Sequence, residues 1–240
     1  MTGPDAPRLY EVLEATWPAA RIVDEGPWRL REGRGGGQRV SAATAIGPVS
    51  EDDIIDAEKS MAELGQPPIF MIRGEDVELD AMLEARGYPI VDPVNLYVAE
   101  AKDLTAEMKI ASVIPAWPPL ALQREIWEEG GIGPGRLDVM CRAKGPKTSI
   151  LGRTSDTPGG TAFVAADGDV AMVHAIEVSE AERRQGIGER LMHACANWAV
   201  SNGVAWLSLI VTKANEPANA LYRKLGMTAL SGYHYRRLDG

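Results

Sequence analysis

The chain of 240 residues is long enough to bury a substantial core, in one domain or in two. Hydrophobic residues make up 45% and charged residues 25% of it, which excludes a disordered or fibrous protein. The net charge of -9 argues against non-specific binding to nucleic acid, so we expect no such partner. The excess of carboxylates lies in residues 1–104, with 10 basic and 20 acidic side chains, whereas residues 105–240 have 15 and 14.

Nothing in the sequence predicts a membrane or metal partner. No apolar run approaches the roughly 18 residues of a membrane span. The first twenty residues include Asp5, Glu11 and Glu14, where a signal peptide would be apolar, so we expect a cytoplasmic protein. Cys141 and Cys195 lack the spacing of a metal site, and Cys195 falls on the apolar face of a predicted helix, which indicates a packed thiol.

In the first half, residues 28–31 and 38–45 predict a hairpin. The glycine-rich turn between them, residues 33–37, lacks a following helix and is therefore expected to be a flexible turn, not a phosphate loop. Residues 68–72 predict a buried strand and residues 79–88 a short helix ending at Gly87. The same order of strand, helix and glycine occurs near the end of the chain. This indicates either an internal repeat or the pattern that any strand-helix-glycine unit has.

If the repeat is real, the first copy has lost its chemistry. Glu51, Asp52 and Asp53 stand where the second copy has a glycine turn, and these carboxylates would repel a phosphate. Leu83 stands where the second copy has Tyr222. With a linker expected near residues 101–106, we predict two domains, residues 1–104 and residues 105–240, called the first and second halves below.

The second half begins with a predicted antiparallel meander. Residues 148–154 and 161–166 indicate strands separated by a turn at residues 158–160, and Asp167-Gly168 predicts a hairpin into a strand at residues 170–178. Regular alternation along that last strand places one set of side chains on one face and the next set on the other. The first set is His174, Ile176 and Val178, and the second is Val173, Ala175 and Glu177.

A glycine-containing turn follows this strand and precedes an amphipathic helix that stops at Asn202-Gly203. Its residues are Arg183, Arg184, Gln185, Gly186, Ile187 and Gly188, and Glu189 comes next. Glycines at such a turn leave backbone N–H groups uncovered, at the positive end of the helix dipole and beside two guanidinium groups. The sequence therefore predicts a pyrophosphate site here. Residues 204–211 predict a buried strand, Asn215 caps a short helix that runs to Leu225, and residues 233–238 form a last strand.

Residues 183–188 fit the pattern Q/R-x-x-G-x-G/A of the GCN5-related N-acetyltransferases, the GNAT superfamily. Residues 215–227 resemble a second pattern of that family, N-x-x-A-x-x-L-Y-x-x-x-G-F, with Met227 last. The resemblance covers about residues 148–240, and residues 1–104 resemble the degenerate first half of tandem GNAT proteins. It implies an α/β fold with a mixed sheet and an acetyl-CoA-dependent transferase without metal.

The resemblance also implies residue roles. Backbone groups of Ile176 and Val178 would bind the pantetheine arm, and the amides from Gln185 to Glu189 the pyrophosphate, with Arg183 and Arg184 at the edge. Asn215 would contact the cofactor arm, and Tyr222 would protonate the leaving thiolate.

Transfer to an amine requires a base for the amine proton and an acid for the thiolate. Tyr222 is the candidate acid, and the alternative is that its ring only packs in the core. For the base, His174 and Glu177 are both candidates, His174 against a core histidine and Glu177 against a solvent-facing carboxylate. His234 and Tyr235 either line the acceptor end or pack at a sheet edge.

The acceptor is expected to be a small-molecule or peptide amine, of unspecified identity. Three roles for the first half remain open from the sequence. It could cover the acceptor site, form a homodimer or support the second half. A non-catalytic acyl-CoA-binding module and a dinucleotide-binding domain are the competing functions.

Overall fold

The computed structural model describes residues 3–109, 112–154 and 157–238 and has a mixed α/β fold. The helices are α1 (Ala6–Thr16), α2 (Glu51–Glu63), α3 (Val77–Ala85), α4 (Ala121–Glu129), α5 (Pro134–Arg142), α6 (Ile187–Ser201) and α7 (Glu216–Lys224). The strands are β1 (Arg21–Glu25), β2 (Trp28–Glu32), β3 (Thr44–Ala45), β4 (Ile69–Arg73), β5 (Ile90–Val91), β6 (Val94–Glu100), β7 (Val113–Ala116), β8 (Lys147–Thr154), β9 (Thr157–Asp167), β10 (Val170–Val178), β11 (Trp206–Thr212), β12 (Thr228–Ser231) and β13 (Tyr233–Arg237).

Local sequence accounts for where several helices begin. The Ser50 hydroxyl accepts from the N–H of Asp53, and the Asp53 carboxylate accepts from the N–H of Ser50, which is a capping box at the start of α2. Asn215 caps α7, because its side-chain oxygen accepts from the N–H of Ala218 at 3.2 Å. Polar caps of this kind satisfy the free N–H groups of the first helical turn.

A central sheet has the strand order β12-β6-β11-β10-β9-β8-β7. Within it only β10 and β11 pair in parallel among the described strands. Helices α1, α4 and α5 cover one face, which we call the α1 face, and α6 and α7 cover the other, the α6 face. A largely antiparallel sheet does not provide the alternating parallel units of a dinucleotide-binding domain, so that alternative is wrong.

Each half contributes a strand to the sheet of the other. Strand β6 belongs to the first half, yet it pairs along its whole length with β11 and carries β12 on its other edge. Strand β13 belongs to the second half, yet it lies between β4 and β5. The sheets of the two halves are therefore completed reciprocally.

The first half has the same strand pattern as the second. Ala43 bridges β3 and β4 in parallel, since it donates its N–H to the carbonyl of Ile69 and accepts from the N–H of Met71, each at 2.9 Å. The first-half order is thus β1-β2-β3-β4-β13-β5, which parallels β8-β9-β10-β11-β6-β12. Helices α2 and α3 occupy the same places in the chain order as α6 and α7. This agreement supports an internal repeat.

The predicted turn at residues 158–160 is wrong. Pro158 and Gly160 lie within β9, opposite Arg153 and Gly152. The reason for glycine is a close approach by α6, because a Cβ added at Gly160 would lie 2.5 Å from Ile187 Cγ2. Sequence alone does not distinguish a glycine that turns the chain from one that lets a helix pack closely.

Two other segments are packed where the sequence predicted a flexible turn and a linker. A Cβ added at Gly36, in the turn before the 3₁₀ helix Gln38–Val40, would lie 2.5 Å from Val139 Cγ2 of α5. Ala101 and Leu104 are buried in the core of the α6 face, and the ring of His193 donates to the Leu104 carbonyl at 2.8 Å. The domain boundary after residue 104 stays a prediction.

Candidate active site

Strand β10 contains a β-bulge at its centre. His174 lies opposite Phe163 and Glu177 opposite Thr161, so β10 has one more residue here than β9. Ala175 departs from extended backbone geometry at the bulge, with a φ of 50° in the left-handed region. The indole N–H of Trp127 donates to the Ala175 carbonyl at 2.7 Å and so holds the bulge.

The bulge changes which side chains share a face. His174 lies on the α1 face, where its ring centroid is 4.9 Å from that of Trp17. Ile176 and Val178 pack in the core of the α6 face, together with Val173. The prediction that His174, Ile176 and Val178 share a face is therefore wrong, as is the grouping of Val173 with Ala175, because one extra residue reverses the alternation.

Beyond the bulge, β10 and β11 diverge. Their paired registers end at Val173 and Leu209, although β11 continues in register with β6 as far as Thr212. The edge of β10 that would face β11, at residues 176–178, therefore has no strand beside it in the part of the chain that the structure describes. Main-chain groups on such an edge are available to an extended ligand.

The turn after β10 presents a row of main-chain N–H groups. Arg184 and Gly186 have φ of 63° and 78°, and Gly186 is the N-cap of α6. The first backbone bond of the helix joins the N–H of Arg190 to the carbonyl of Gly186 at 3.0 Å. Within the described chain the N–H groups of residues 184–189 have no backbone partner. This is the arrangement that binds anions at a helix N-terminus.

Arg190 holds this turn, a role that the sequence did not predict. Its guanidinium donates to the carbonyl of Gln185 at 2.6 Å and to that of Arg153 at 2.8 Å. The carbonyl of Gln185 is thereby bonded to a side chain of the protein, while the N–H groups of residues 184–189 have no backbone partner in the described chain. The available signal was a basic residue four positions after Gly186, on the first turn of α6.

The side chains of the turn have separate roles. Arg183 donates to the Val178 carbonyl at 3.1 Å and lies 3.6 Å from a carboxylate oxygen of Glu177, so it points back along β10. Arg184 is exposed. The Gln185 amide donates to the Ala181 carbonyl at 3.3 Å, and Glu189 pairs with Lys224 at 3.0 Å, which joins α6 to α7.

Glu177 is half-buried beside the end of α4. A Cβ added at Gly130 would lie 2.5 Å from Glu177 Cδ, so the carboxyl packs directly on the glycine backbone. Burial raises the pKa of Glu177, and the Arg183 guanidinium partly opposes this shift. A carboxyl with a raised pKa is a better proton acceptor near neutral pH than an exposed one.

Tyr222 lies on α7, buried on the α6 face. It belongs to the same apolar core as Ile187, and Ile176 and Val178 pack against that core. Its ring centroid is 5.7 Å from that of Tyr97. Burial raises the pKa of the Tyr222 hydroxyl, which keeps the phenol protonated.

Asn219, one turn after Asn215, has a role that the sequence also did not predict. Its side-chain oxygen accepts from the Asn95 amide at 2.8 Å and from the Tyr97 hydroxyl at 3.1 Å. Its amide donates to the Thr212 carbonyl at 2.9 Å. These bonds fix α7, which carries Tyr222, to the exchanged strand β6 and to the end of β11.

His174 is buried, with both ring nitrogens engaged. Nε2 lies 2.8 Å from the hydroxyl oxygen of Thr16, whose O–H donates to the Val12 carbonyl at 2.6 Å, so Nε2–H is the donor. Nδ1 accepts from Arg39 at 3.3 Å. Burial, with the Arg39 charge, holds the pKa of His174 well below its ordinary value. This geometry gives a base role no support, and we infer a structural one.

Three other findings concern predicted partners and the acceptor end. No helix in the described ranges is long and apolar enough to cross a membrane. Among the same residues, no group of three or more His, Cys, Asp or Glu side chains is placed to hold a metal ion. His234 is bound to Asp80 at 2.8 Å, in the first half.

Comparisons with known proteins agree with the geometry. Residues 116–227 match the model of the acetyltransferase (GNAT) family. The uncharacterized N-acetyltransferase YobR of Bacillus subtilis is 28% identical over 244 residues, which cover 97% of this chain and 98% of that protein. The streptothricin acetyltransferase of Streptomyces lavendulae is 29% identical over 126 residues, 52% of this chain and 65% of that protein.

Solved structures share the fold. A GCN5-related N-acetyltransferase from Kribbella flavida has a TM-score of 0.71 at 21% identity, over 98% of this chain and 96% of the other. A tandem GNAT protein from the clavulanic acid biosynthesis pathway has a TM-score of 0.63 at 13% identity, over 98% and 89%. The matching family model, the related acetyltransferases and the common architecture identify residues 116–227 as a segment of the GNAT family of acetyltransferases.

Proposed function

We propose that this acetyltransferase takes its acetyl group from acetyl-CoA and passes it directly to a primary amine of a small molecule or peptide. The observation that carries the proposal is the row of unpartnered N–H groups at residues 184–189, next to the open edge of β10. An anion site beside an unpaired strand edge suits a long cosubstrate with a diphosphate at one end and amide groups along its arm.

The residues present fit coenzyme A. A Cβ added at Gly188 would meet Leu221 Cδ2 at an ordinary 3.4 Å, so packing within the protein does not require glycine there. Close approach of a ligand to the backbone explains the glycine instead. In this proposal the N–H groups of residues 185–189 hold the diphosphate, and Ile176 and Val178 hold the arm through main-chain hydrogen bonds. Asn215 contributes its side-chain amide.

The thioester of the bound cosubstrate supplies the acetyl group. Glu177 accepts the proton of the attacking amine, directly or through a water molecule, and its raised pKa suits that task. Tyr222 keeps its proton at neutral pH and donates it toward the departing sulfur. These two residues flank the diverging end of β10 from opposite faces, Glu177 beside α4 and Tyr222 on α7.

The anion site is tested with Gly188→Asp. A carboxylate at this position would repel the diphosphate, and we expect the Kd for acetyl-CoA to rise about 10-fold or more, measured by isothermal titration calorimetry. Gly74→Asp is the matched control, since a side chain there meets no atom within 4 Å and lies in the first half. Unchanged affinity in a folded Gly188→Asp protein would refute the placement.

The base is tested with Glu177→Gln. We expect kcat to fall about 100-fold or more, because the amide cannot accept the amine proton. In the unmodified enzyme kcat/KM should fall with decreasing pH as the carboxylate becomes protonated, at a pH above the ordinary pKa of a glutamate. The variant should lose this acidic limb. Glu180→Gln, in an exposed position nearby, is the control, and the same limb in Glu177→Gln would exclude Glu177 as base.

A further inference from the structure

A half-open cavity of about 240 Å³ lies between the two halves on the α1 face, where β10 leaves β11. Ala175 of the bulge and Thr212 at the end of β11 line one side. Gln38, Arg39 and Asp92 of the first half line another. Ala175, which lines the cavity, is two residues before Glu177 along β10. The first half supplies much of the polar lining of the cavity.

Two arginines face this cavity without a carboxylate partner. No described carboxylate lies within 4.0 Å of the guanidinium of Arg39, which lines the cavity, or of Arg136, exposed at its rim. The Nε of Arg39 is buried without a hydrogen-bond partner in the described chain. Its other contacts are neutral: His174, the ring of Trp17 with its centroid 6.0 Å away, and the hydroxyl groups of the two tyrosines on β13.

A partly buried guanidinium without a counter-ion is unfavourable, because charges removed from water require opposite charge or full hydrogen bonding. Arg34, which precedes Arg39 in the same segment, is by contrast paired with Glu32 at 2.8 Å. The unpaired charge of Arg39 is therefore best explained by an anion that enters from solution. Carboxylate is the anion that a guanidinium binds with two parallel hydrogen bonds.

The cavity also offers hydrogen-bond acceptors. The side-chain oxygen of Gln38 is buried without a partner in the described chain, while its amide donates to Asp92 at 3.2 Å. A ligand with both a carboxylate and an N–H group would satisfy Arg39 and Gln38 together. With two arginines and one aspartate, the lining has a net positive charge, although the first half as a whole is acidic.

We infer that the acceptor is an amine that carries a carboxylate, such as an amino acid, and that Arg39 and Arg136 bind this carboxylate in the cavity between the halves. This inference rests on the proposed acetyl transfer and names the class of its acceptor. It also gives the first half a role, because the residues that recognise the acceptor come largely from residues 1–104. The amine would point along β10 toward Glu177.

The test compares acceptors that differ only in charge. The common amino acids are each paired with the corresponding amino acid amide, and acetyl transfer is followed by release of the CoA thiol. We expect the acids to be preferred. Arg39→Gln and Arg136→Gln should raise the KM for an acid about 10- to 100-fold and leave the KM for its amide and for acetyl-CoA unchanged. Arg34→Gln, on the same loop but paired with Glu32, is the control.

A binding measurement makes the test independent of turnover. N-acetyl amino acids should raise the melting temperature of the whole protein, their amides should not, and Arg136→Gln should abolish the shift. Amides accepted as well as acids, or no acid active in either measurement, would overturn the inference. Absent acetyl-CoA binding with the acid-dependent shift intact would instead overturn the proposed function and leave the carboxylate site of Arg39 and Arg136 standing.

Discussion

The imidazole of His174 is built into the fold in its neutral form. Its two hydrogen bonds, to Thr16 and Arg39, come from the first half, while His174 itself lies on β10 of the second. A proton added to Nδ1 would face the Arg39 guanidinium and break the bond between them. The residue therefore joins the halves and resists protonation.

This predicts a pH dependence of stability. The pKa of His174 is lowered in the folded protein, so below about pH 6.5 the unfolded chain takes up a proton that the folded chain does not. Stability therefore decreases as pH falls through this value. Between pH 7 and pH 5.5 the free energy of unfolding should drop by about 1 kcal/mol from this residue.

Urea titrations at the two pH values measure this drop. His174→Gln should be less stable at pH 7 but should show a smaller difference between the two pH values. His193→Gln, which removes an imidazole from α6, is the control. Equal pH dependence in the His174 variant and the unmodified protein would contradict the prediction.

At single positions, the sequence predicts what depends on neighbours in the chain. Gly186 at a helix start and Asn215 as a cap are readable because each acts on residues within four positions. Arg190, Asn219 and Trp127 were missed, because each acts on a distant segment: the carbonyl of Arg153, strand β6 and the bulge of β10. Their partners become adjacent only in the folded chain.

At the scale of elements, the start of α6 is positioned by glycines on the strands beneath it. Gly152, Gly159 and Gly160 would each place a Cβ within 3.1 Å of a side chain on or beside α6. Ile187 and Leu191 occupy the space that these missing side chains leave. The N–H groups of the anion site therefore stand where β8 and β9 allow the helix to lie.

We predict that Gly160→Ala disturbs both stability and cosubstrate binding. The new methyl group would meet Ile187 Cγ2 at 2.5 Å and the Glu177 carbonyl at 3.1 Å, so α6 must shift. Overpacking of this kind costs about 1–3 kcal/mol. We expect a lower melting temperature and a higher Kd for acetyl-CoA. Gly74→Ala, with nothing within 4 Å, is the control, and normal binding in Gly160→Ala would contradict this positioning.

The end of α6 followed from the sequence more closely than the details of β10. The predicted stop of α6 at Asn202-Gly203 agrees with a helix ending at Ser201, because a capping glycine acts locally. The bulge at Ala175 was missed, since an apolar strand gives no signal for one inserted residue. That single omission grouped His174 with Ile176 and Val178, which the structure places on the opposite face.

At the scale of the whole molecule, the exchange of β6 and β13 could not be predicted. Strand pairing depends on which edges meet in the folded chain, and β6 has the same apolar pattern whichever sheet it joins. The sequence did predict the strands themselves in several places, including β11 and β13. The pairing of strands from different halves became known only from the structure.

The exchange predicts that the second half does not fold alone. Residues 105–240 would leave β11 with an open edge and would separate β13 from β4 and β5. Exposed strand edges favour aggregation, so we expect this fragment to be aggregated in size-exclusion chromatography. Co-expression with residues 1–104 should restore a soluble complex. A monomeric fragment that binds acetyl-CoA on its own would contradict the prediction.

Reciprocal exchange also limits how such a chain evolves. A recombination event between the two halves would replace one strand in each sheet at once, because β6 and β13 each lie in the sheet of the opposite half. A newly acquired half must therefore supply a strand near its end that can pair within the sheet of the other half. We therefore expect the two halves to be inherited as one unit.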